Sequence, residues 1–141
     1  MKEGFYISTD KTKLDVDLIW HFLSNNAYWA QGRSKEIVER SIEHSLCFGV
    51  YNANNEQVGF ARVISDFAIF AWLMDVFILD ACRGKGLGKL LMAEILGSKE
   101  LQGLKRWGLN TKDAHGLYEQ HGFRQLSKPE NMMELIAMPA L

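Results

Sequence analysis

Apolar residues recur along the chain at two spacings, and the alternation between them predicts the order of the secondary-structure elements. A short β-rich run at 4–9 predicts a first strand, and apolar residues at helical spacing over 14–26 predict a helix after it. Ser34, followed by polar and apolar residues at helical spacing, predicts the start of a second helix over 34–45. The first part of the chain is therefore expected to fold as one strand and two helices.

The middle of the chain is dominated by β-rich runs. Those at 46–51 and 57–65 flank the turn-rich stretch NANNEQ, which predicts an antiparallel hairpin. The next run, at 67–79, is almost wholly apolar and contains a single charged residue, Asp75. It predicts a long, largely buried strand with one polar side chain that needs a partner.

The last part of the chain returns to helical spacing after residue 86. A helix is predicted there, followed by a strand at 105–110, a helix at 112–121, and closing strands at 122–126 and 132–138. Helices alternate with strands, but the early strands form hairpins. We therefore expect an α+β fold with a single mixed, mostly antiparallel sheet and helices on both faces. The length of 141 residues is suited to one domain over 1–141.

Composition and charge narrow the classes of partner. The formal net charge of −1 favours no nucleic-acid partner, so a phosphate-bearing ligand must be bound by a local site. The longest apolar run, from Phe67 to Met74, is far short of the ~20 residues that span a bilayer. The first residues contain no apolar signal region, and Cys47 and Cys82 have no metal-type spacing. We expect a cytoplasmic protein with no metal and no membrane partner.

A glycine-rich basic loop between the apolar strand and the next helix is the strongest chemical signal. Gly84, Gly86 and Gly88 alternate with Lys85 and Leu87 directly before the helix. Backbone N–H groups at a helix N-terminus attract anions, and glycines allow an anion to approach the backbone. The loop lacks the Walker pattern and the dinucleotide-binding spacing, so it predicts a phosphate site of another kind.

Two separate blocks give this pattern a specific resemblance. The stretch RGKGLG, residues 83–88, matches the R/Q-x-x-G-x-G/A motif of the GNAT acetyltransferase superfamily. The stretch DAHGLYEQHGF, residues 113–123, resembles that superfamily's A-x-x-L-Y-E-x-x-G-F segment. The chain departs from the usual pattern at Asp80, where proline is common, and at Cys82, where an aromatic residue is common. The resemblance is clear over 74–123 and fades in the first 45 residues.

The resemblance implies how acetyl-coenzyme A would be bound. In this family the loop amides hold the pyrophosphate, and the pantetheine arm lies between two splayed parallel strands, here the strand that ends near residue 79 and the strand at 105–110. Main-chain groups at the end of the first strand would then bind the pantetheine amides. The residues expected to contact the coenzyme are Ile78, Leu79, Arg83, Gly84, Lys85, Gly86, Leu87, Gly88, Lys89, Asn110 and Tyr118.

Catalytic roles follow less directly. From the sequence alone, Tyr118 is better interpreted as a core tyrosine with its hydroxyl hydrogen-bonded; the resemblance implies instead that it protonates the leaving thiolate. Asp75 is our candidate for the general base, and the alternative is a buried carboxylate bonded to the backbone or to an arginine. Asp113 is expected to begin the helix that carries Tyr118. Cys82 beside Arg83 could be a nucleophile, but direct transfer needs no acyl-enzyme.

The acceptor pocket is expected to involve the loop at 25–33. Tyr28 and Trp29 could face an ammonium group and Arg33 a carboxylate, with His115 nearby. Alternatively, the aromatic residues fill the core. The function expected is acetyl transfer from acetyl-coenzyme A to a primary amine, by direct attack in a ternary complex, with a small-molecule acceptor. A protein amine as acceptor and a non-catalytic module that binds coenzyme A stay open, as does a homodimer paired through the closing strands.

Overall fold

A five-stranded sheet with helices on both of its faces organises the chain in the computed structural model, which describes residues 4–26 and 32–137. The strands are β1 (Tyr6–Ser8), β2 (Leu46–Tyr51), β3 (Gln57–Ser65), β4 (Phe70–Ile78) and β5 (Arg106–Leu109). The helices are α1 (Val16–Asn26), α2 (Lys35–Glu43), α3 (Leu87–Leu96) and α4 (His115–Glu119). No helix among these residues is long and apolar enough to cross a membrane.

The strands lie in the order β1-β2-β3-β4-β5, and only the β4–β5 pair is parallel. The mixed, mostly antiparallel sheet is therefore confirmed. The predicted hairpin joins β2 and β3, where the Asn52 side chain accepts the N–H groups of Asn54 and Glu56. Ser34 caps α2 as predicted, since its Oγ accepts the Ile37 N–H at 3.2 Å.

Each face of the sheet is covered by a separate apolar cluster. Helix α3 packs Leu87, Leu91 and Ile95 against one face, and all three side chains are buried. Helices α1 and α2 pack Ile19 and Val38, among others, against Phe60 and Phe77 on the opposite face. Phe22 and Phe77 stack with ring centroids 4.0 Å apart. Burial from both sides explains why the central strands are apolar at consecutive positions.

One predicted boundary and two predicted strands are wrong. Strand β4 begins at Phe70 rather than at residue 67, because Asp66 Oδ1 accepts the N–H groups of Ala68, Ile69 and Phe70 and holds them in a turn. The closing strands predicted at 122–126 and 132–138 do not form over the described residues. A strand requires a neighbouring strand for its hydrogen bonds, and the outer edge of β5 pairs with neither segment.

Candidate active site

The parallel strands β4 and β5 part from one another halfway along β4. Residues 70–73 pair with residues 106–109, after which β5 ends while β4 continues to Ile78. The second half of β4 therefore has β3 on one side and an open edge on the other. This opening is the splayed pair that the sequence resemblance implied, and the candidate site lies in it.

A bulge in β4 changes which backbone groups face the opening. The β3–β4 register steps from Arg62–Met74 to Phe60–Phe77, so Ala61 lies opposite two residues, Asp75 and Val76. Asp75 has φ of 56°, the left-handed backbone conformation that a bulge can impose on one residue. The extra residue shifts by one position the alternation of N–H and C=O groups that β4 directs toward β3 and toward the opening.

The open edge presents main-chain groups of Val76 and Ile78, and not those of Leu79. Leu79 donates its N–H to Val58 at 2.8 Å, and its carbonyl accepts the Cys82 N–H at 2.9 Å. Both groups of Leu79 are thus engaged within the protein, which does not favour its predicted main-chain contact with the coenzyme. The alternation of β4 places Val76 on the open edge, and sequence reasoning missed it because the bulge could not be read from the apolar pattern.

The glycine loop joins this edge to the N-terminus of α3. Gly84 and Gly86 have φ of 80° and 78°, which favour glycine, and Gly86 caps the helix. Gly88 lies inside the first helical turn, where an added Cβ would have only an ordinary contact with Leu117. Helix geometry leaves the first N–H groups of α3 without intrahelical partners, so they point out of the helix end. The loop therefore has the local geometry of an anion cradle.

The basic side chains of the loop surround this cradle. Arg83 bonds to the Ile78 carbonyl through Nε at 3.3 Å, and its Nη2 lies 3.3 Å from Asp80 Oδ1. Lys85 Nζ is 5.6 Å from the centroid of the Phe5 ring, and Lys89 is exposed on α3. Leu87 points into the core, so only its main chain is available to a ligand.

Two adjoining cavities extend from the opening. One, of about 600 Å³, extends along the loop and the end of β4, and the other, of about 510 Å³, is bounded by β4 and residues 110–114. Both are lined by Val76, Asp113, Ala114 and Tyr118. Tyr118 is 8 % exposed, and its ring meets that of Phe123 edge to face. The tyrosine thus lies where the cavities meet.

A buried ion cluster forms one wall of the smaller cavity. Asp75 Oδ2 accepts hydrogen bonds from Arg33 Nη1 and from Arg62 Nε, each at 2.9 Å. Arg62 also donates to Ser45 Oγ at 3.0 Å, so its guanidinium is held inside the fold. Arg33 lines the cavity, and its carbonyl accepts a hydrogen bond from the indole N–H of Trp20 in α1 at 2.9 Å.

This cluster is the alternative that the sequence left open for Asp75. The carboxylate is buried and bonded to two guanidinium groups, so the geometry favours a structural role over that of a base. Sequence reasoning missed Arg62, although a charged side chain in an apolar strand needs a partner there just as it does at Asp75. It is the one charged residue in the apolar run of β3, next to the run that carries Asp75.

The remaining predicted site residues are distributed around the two cavities. Asn110 lines the smaller cavity with Arg33 and Asp75, whereas the exposed His115 lines a different one on the outer side of β5. Asp113 does not cap α4; Thr111 Oγ1 accepts the Ala114 N–H at 3.0 Å instead. Cys82 lies in the larger cavity at the loop. Tyr28 and Trp29 fall outside the described residues.

Comparison with known proteins identifies the family. The family model for the acetyltransferase (GNAT) domain matches residues 41–125, which is more than half of the chain. This chain belongs to the GNAT acetyltransferase family. The matched region contains the bulge, the glycine loop and Tyr118.

Individual GNAT relatives resemble the chain over most of its length. A crystal structure from Xanthomonas campestris pv. campestris, assigned to the GNAT family, is 44 % identical, covers 97 % of this chain and 96 % of its own, and has a TM-score of 0.93. A Gibberella zeae protein assigned as an acetyltransferase is 32 % identical over 135 residues, 81 % of this chain and 75 % of its own. The rice chloroplastic serotonin N-acetyltransferase 2 is 26 % identical over 125 residues, 85 % of this chain and 62 % of its own.

Family membership gives the chain the coarse chemistry of acetyl transfer, for which GNAT enzymes use acetyl-coenzyme A. The loop and the β4 edge fit that molecule. The loop provides two left-handed glycines before a helix N-terminus, and the edge provides main-chain groups along the larger cavity, of which the Ile78 carbonyl accepts a hydrogen bond from Arg83.

Proposed function

We propose that this protein transfers the acetyl group of acetyl-coenzyme A to the primary amine of a small molecule that also carries an anionic group. The observation that carries the proposal is the junction of the two cavities at Tyr118, one beside the glycine loop and one beside Arg33. A coenzyme cavity and an acceptor cavity that share a wall favour direct attack without an acyl-enzyme.

Coenzyme binding would use the larger cavity. The loop amides and the positive end of α3 would hold the pyrophosphate, with Arg83, Lys85 and Lys89 around it. Main-chain groups of Val76 and Ile78 would bind the pantetheine amides in the way an added strand would. Acetyl-coenzyme A supplies an activated thioester carbonyl, and this chain's residues bind it, orient it and exclude water from it.

The acceptor cavity has a charge pattern that suits a neutral amine with a remote anion. Asp75 is paired with both Arg33 and Arg62, so this cluster has two guanidinium groups for one carboxylate and an excess of one positive charge. Lys112 and Asp113, which line the same cavity, offset one another. A positive surrounding favours the uncharged form of an amine, which is the form that attacks. A guanidinium also pairs well with a carboxylate or phosphate.

Two residues have supporting roles in this proposal. Tyr118 would donate its phenolic proton to the departing thiolate, since its ring lies at the cavity junction. Asp75 would act as a positioning residue that holds Arg33 against the cavity wall. The proton released by the attacking amine would leave through solvent in the acceptor cavity.

The proposal is tested by thiol release from acetyl-coenzyme A with amines offered in pairs that differ only by a carboxylate or phosphate. We expect kcat/KM to be about tenfold or more higher for the anionic member, which corresponds to one charge-assisted contact. Arg33→Met should remove that preference, and it should lower kcat/KM less for the neutral members, which lose only the bias toward the uncharged amine. Arg40→Met, an exposed arginine of α2 that lines neither cavity, is the matched control.

Three results would contradict parts of this proposal. Turnover that prefers the neutral member of each pair would overturn the anionic acceptor but keep the enzyme. Coenzyme A binding in calorimetry without turnover of any amine would favour a non-catalytic binding module. Acetylation of protein lysines in preference to all small amines would overturn the small-molecule acceptor.

A further inference from the structure

The face of the sheet to which the side chains of β4 point changes at the bulge. Before the bulge, residues 71 and 73 pack into the apolar cluster that contains α3, and after it residues 76 and 78 do so. Side chains of a regular strand alternate between the two faces, so this change from odd to even positions requires one residue that breaks the alternation. That residue is Asp75, with φ of 56°.

Arg62 of β3 contacts both residues at the point of change. Its Nε donates to Asp75 Oδ2 at 2.9 Å, and its Nη2 donates to Met74 Sδ at 3.4 Å. Its Nη1 donates to Ser45 Oγ at 3.0 Å, and Ser45 in turn donates to the Ser41 carbonyl of α2 at 2.6 Å. Met74 and Asp75 are neighbours in the sequence, so one guanidinium group reaches both because the bulge places them on the same face.

The bulge keeps the Asp75 carboxylate out of the apolar cluster under α3. In a β4 without the bulge, this side chain would point to the same face as Leu73 and would be buried among apolar side chains. With the bulge, the carboxylate bonds to Arg33 and Arg62, each at 2.9 Å. Burying an unpaired charge costs more than the strain of one left-handed residue. The ion pairs of Asp75 therefore favour the bulged conformation over the regular one.

The bulge also sets the direction of the main chain that follows it. Val76 lines both cavities, whereas Arg62 lines neither of them. We propose that Asp75, held by Arg62, is a positioning residue for acetyl-coenzyme A: the ion pair stabilises the bulge, and the bulge turns the Val76 main chain toward the opening. This role rests on the coenzyme site of the proposed function and is independent of the acceptor.

Two double variants test this role, with calorimetry of coenzyme A binding as the measurement. Arg62→Met/Asp75→Gly and Arg62→Met/Asp75→Ala both remove the ion pair, and they differ by a single methyl group. Glycine adopts a positive φ without strain, whereas alanine does not. We expect the dissociation constant of the glycine variant to stay within about threefold of that of the unaltered protein, and that of the alanine variant to rise about tenfold.

The part played by Arg62 is measured by Arg62→Met alone. This variant should bind coenzyme A several-fold more weakly, because Arg33, whose side chain is 19 % exposed against 7 % for Arg62, then holds the carboxylate by itself. Adding Asp75→Gly should restore the affinity, which the loss of a merely structural contact would not predict.

Asp75→Asn and Asp75→Thr make the comparison with Arg62 in place. Both remove the same charge and keep an oxygen that can accept from an arginine, but asparagine tolerates the left-handed conformation and β-branched threonine does not. The asparagine variant should bind coenzyme A within about threefold of the unaltered protein, and the threonine variant about tenfold more weakly. The control is Asn55→Gly, since Asn55 has φ of 63° and lines neither cavity; its coenzyme affinity should not change.

Equal coenzyme affinities in the glycine and alanine double variants, or in the asparagine and threonine variants, would overturn this role of Asp75. Unchanged affinity in Arg62→Met would overturn the part assigned to Arg62. Circular dichroism shows which variants are folded, and the single variants decide if neither double variant folds. An unaltered protein that binds no coenzyme A would overturn the coenzyme site of the proposed function, which is a different result from equal affinities among the variants.

Discussion

At the scale of single residues, Tyr118 lies at the junction of the two cavities, where we propose that it protonates the leaving thiolate. A thiolate with a thiol pKa of ~8.5 is a tolerable leaving group, so an acid speeds its departure without being indispensable. We therefore expect Tyr118→Phe to lower kcat roughly ten- to a hundredfold, at or below the low end of general-acid effects. The KM for acetyl-coenzyme A should stay nearly unchanged. Steady-state thiol release across pH measures both.

Tyr51→Phe is the matched control for this change. Tyr51 is also buried, and its hydroxyl has no hydrogen-bond partner within the described part of the chain. It lies in β2 and borders neither cavity, so its substitution should leave kcat unaltered. Full activity of Tyr118→Phe at every pH would show that the phenol is not the acid.

At the scale of elements, the loop and α3 form one unit, which we propose binds the pyrophosphate. Gly86 caps the helix with φ of 78°, a conformation that costs an L residue about 1 kcal/mol or more. We expect Gly86→Ala to raise the KM for acetyl-coenzyme A several-fold, because the strained loop would move its amides away from the pyrophosphate. The same variant should lose about 1 kcal/mol of unfolding free energy. Kinetics and urea denaturation measure the two effects.

Gly88→Ala is the control for Gly86→Ala. It tests whether coenzyme binding depends on the left-handed backbone at Gly86 or on the space that an added methyl group would fill. Gly88 has helical geometry, and its added Cβ would lie 3.8 Å from Leu117 Cδ2. The KM and the unfolding free energy should both stay close to those of the unaltered protein. Equal losses in the two variants would mean that steric access, and not the left-handed cap, controls binding.

For the molecule as a whole, stability should fall at alkaline pH. Burial raises the pKa of the Cys47 thiol from 9.0 to about 11 and that of the Tyr51 phenol from 10.0 to about 12. Above pH 9 the unfolded chain releases these protons while the folded chain retains them. The free energy of unfolding therefore declines as pH rises from 9 to 11, by about 2 kcal/mol for the thiol alone. Urea denaturation at several pH values measures the slope.

Cys47→Ala isolates the contribution of the thiol. The variant should show a shallower decline between pH 9 and 11, because one of the two buried acids is gone. Exposed tyrosines and lysines titrate equally in both proteins, so the difference in slope belongs to Cys47. Identical slopes would mean that Cys47 titrates alike in the folded and unfolded chains.

Much of this fold could be predicted from local patterns in the sequence. The turn between β2 and β3 and the cap at Ser34 depend on neighbouring residues, and both were predicted correctly. The glycine loop was recognisable because its conformation is local and its residue types are unusual. The start of β4 was misplaced because Asp66 turns the chain through hydrogen bonds that apolar periodicity does not record.

Contacts between distant segments account for what the sequence missed. The Asp75 bonds to Arg33 and Arg62 span 42 and 13 residues, and the bulge that turns Val76 toward the opening exists only when β3 is alongside. The closing strands were predicted from the residue pattern, yet a strand also requires a hydrogen-bonded neighbour, and over the described residues neither segment pairs with β5.

By itself, the sequence determined the order of the central elements, the mixed sheet and the position of the glycine loop before a helix, because these follow from local spacing and residue type. The tertiary structure decided that Asp75 is bonded to two arginines and that two cavities meet at Tyr118. It also left the outer edge of β5 without a partner strand among the described residues. These features depend on which strands lie side by side, and that is set by packing across the whole chain.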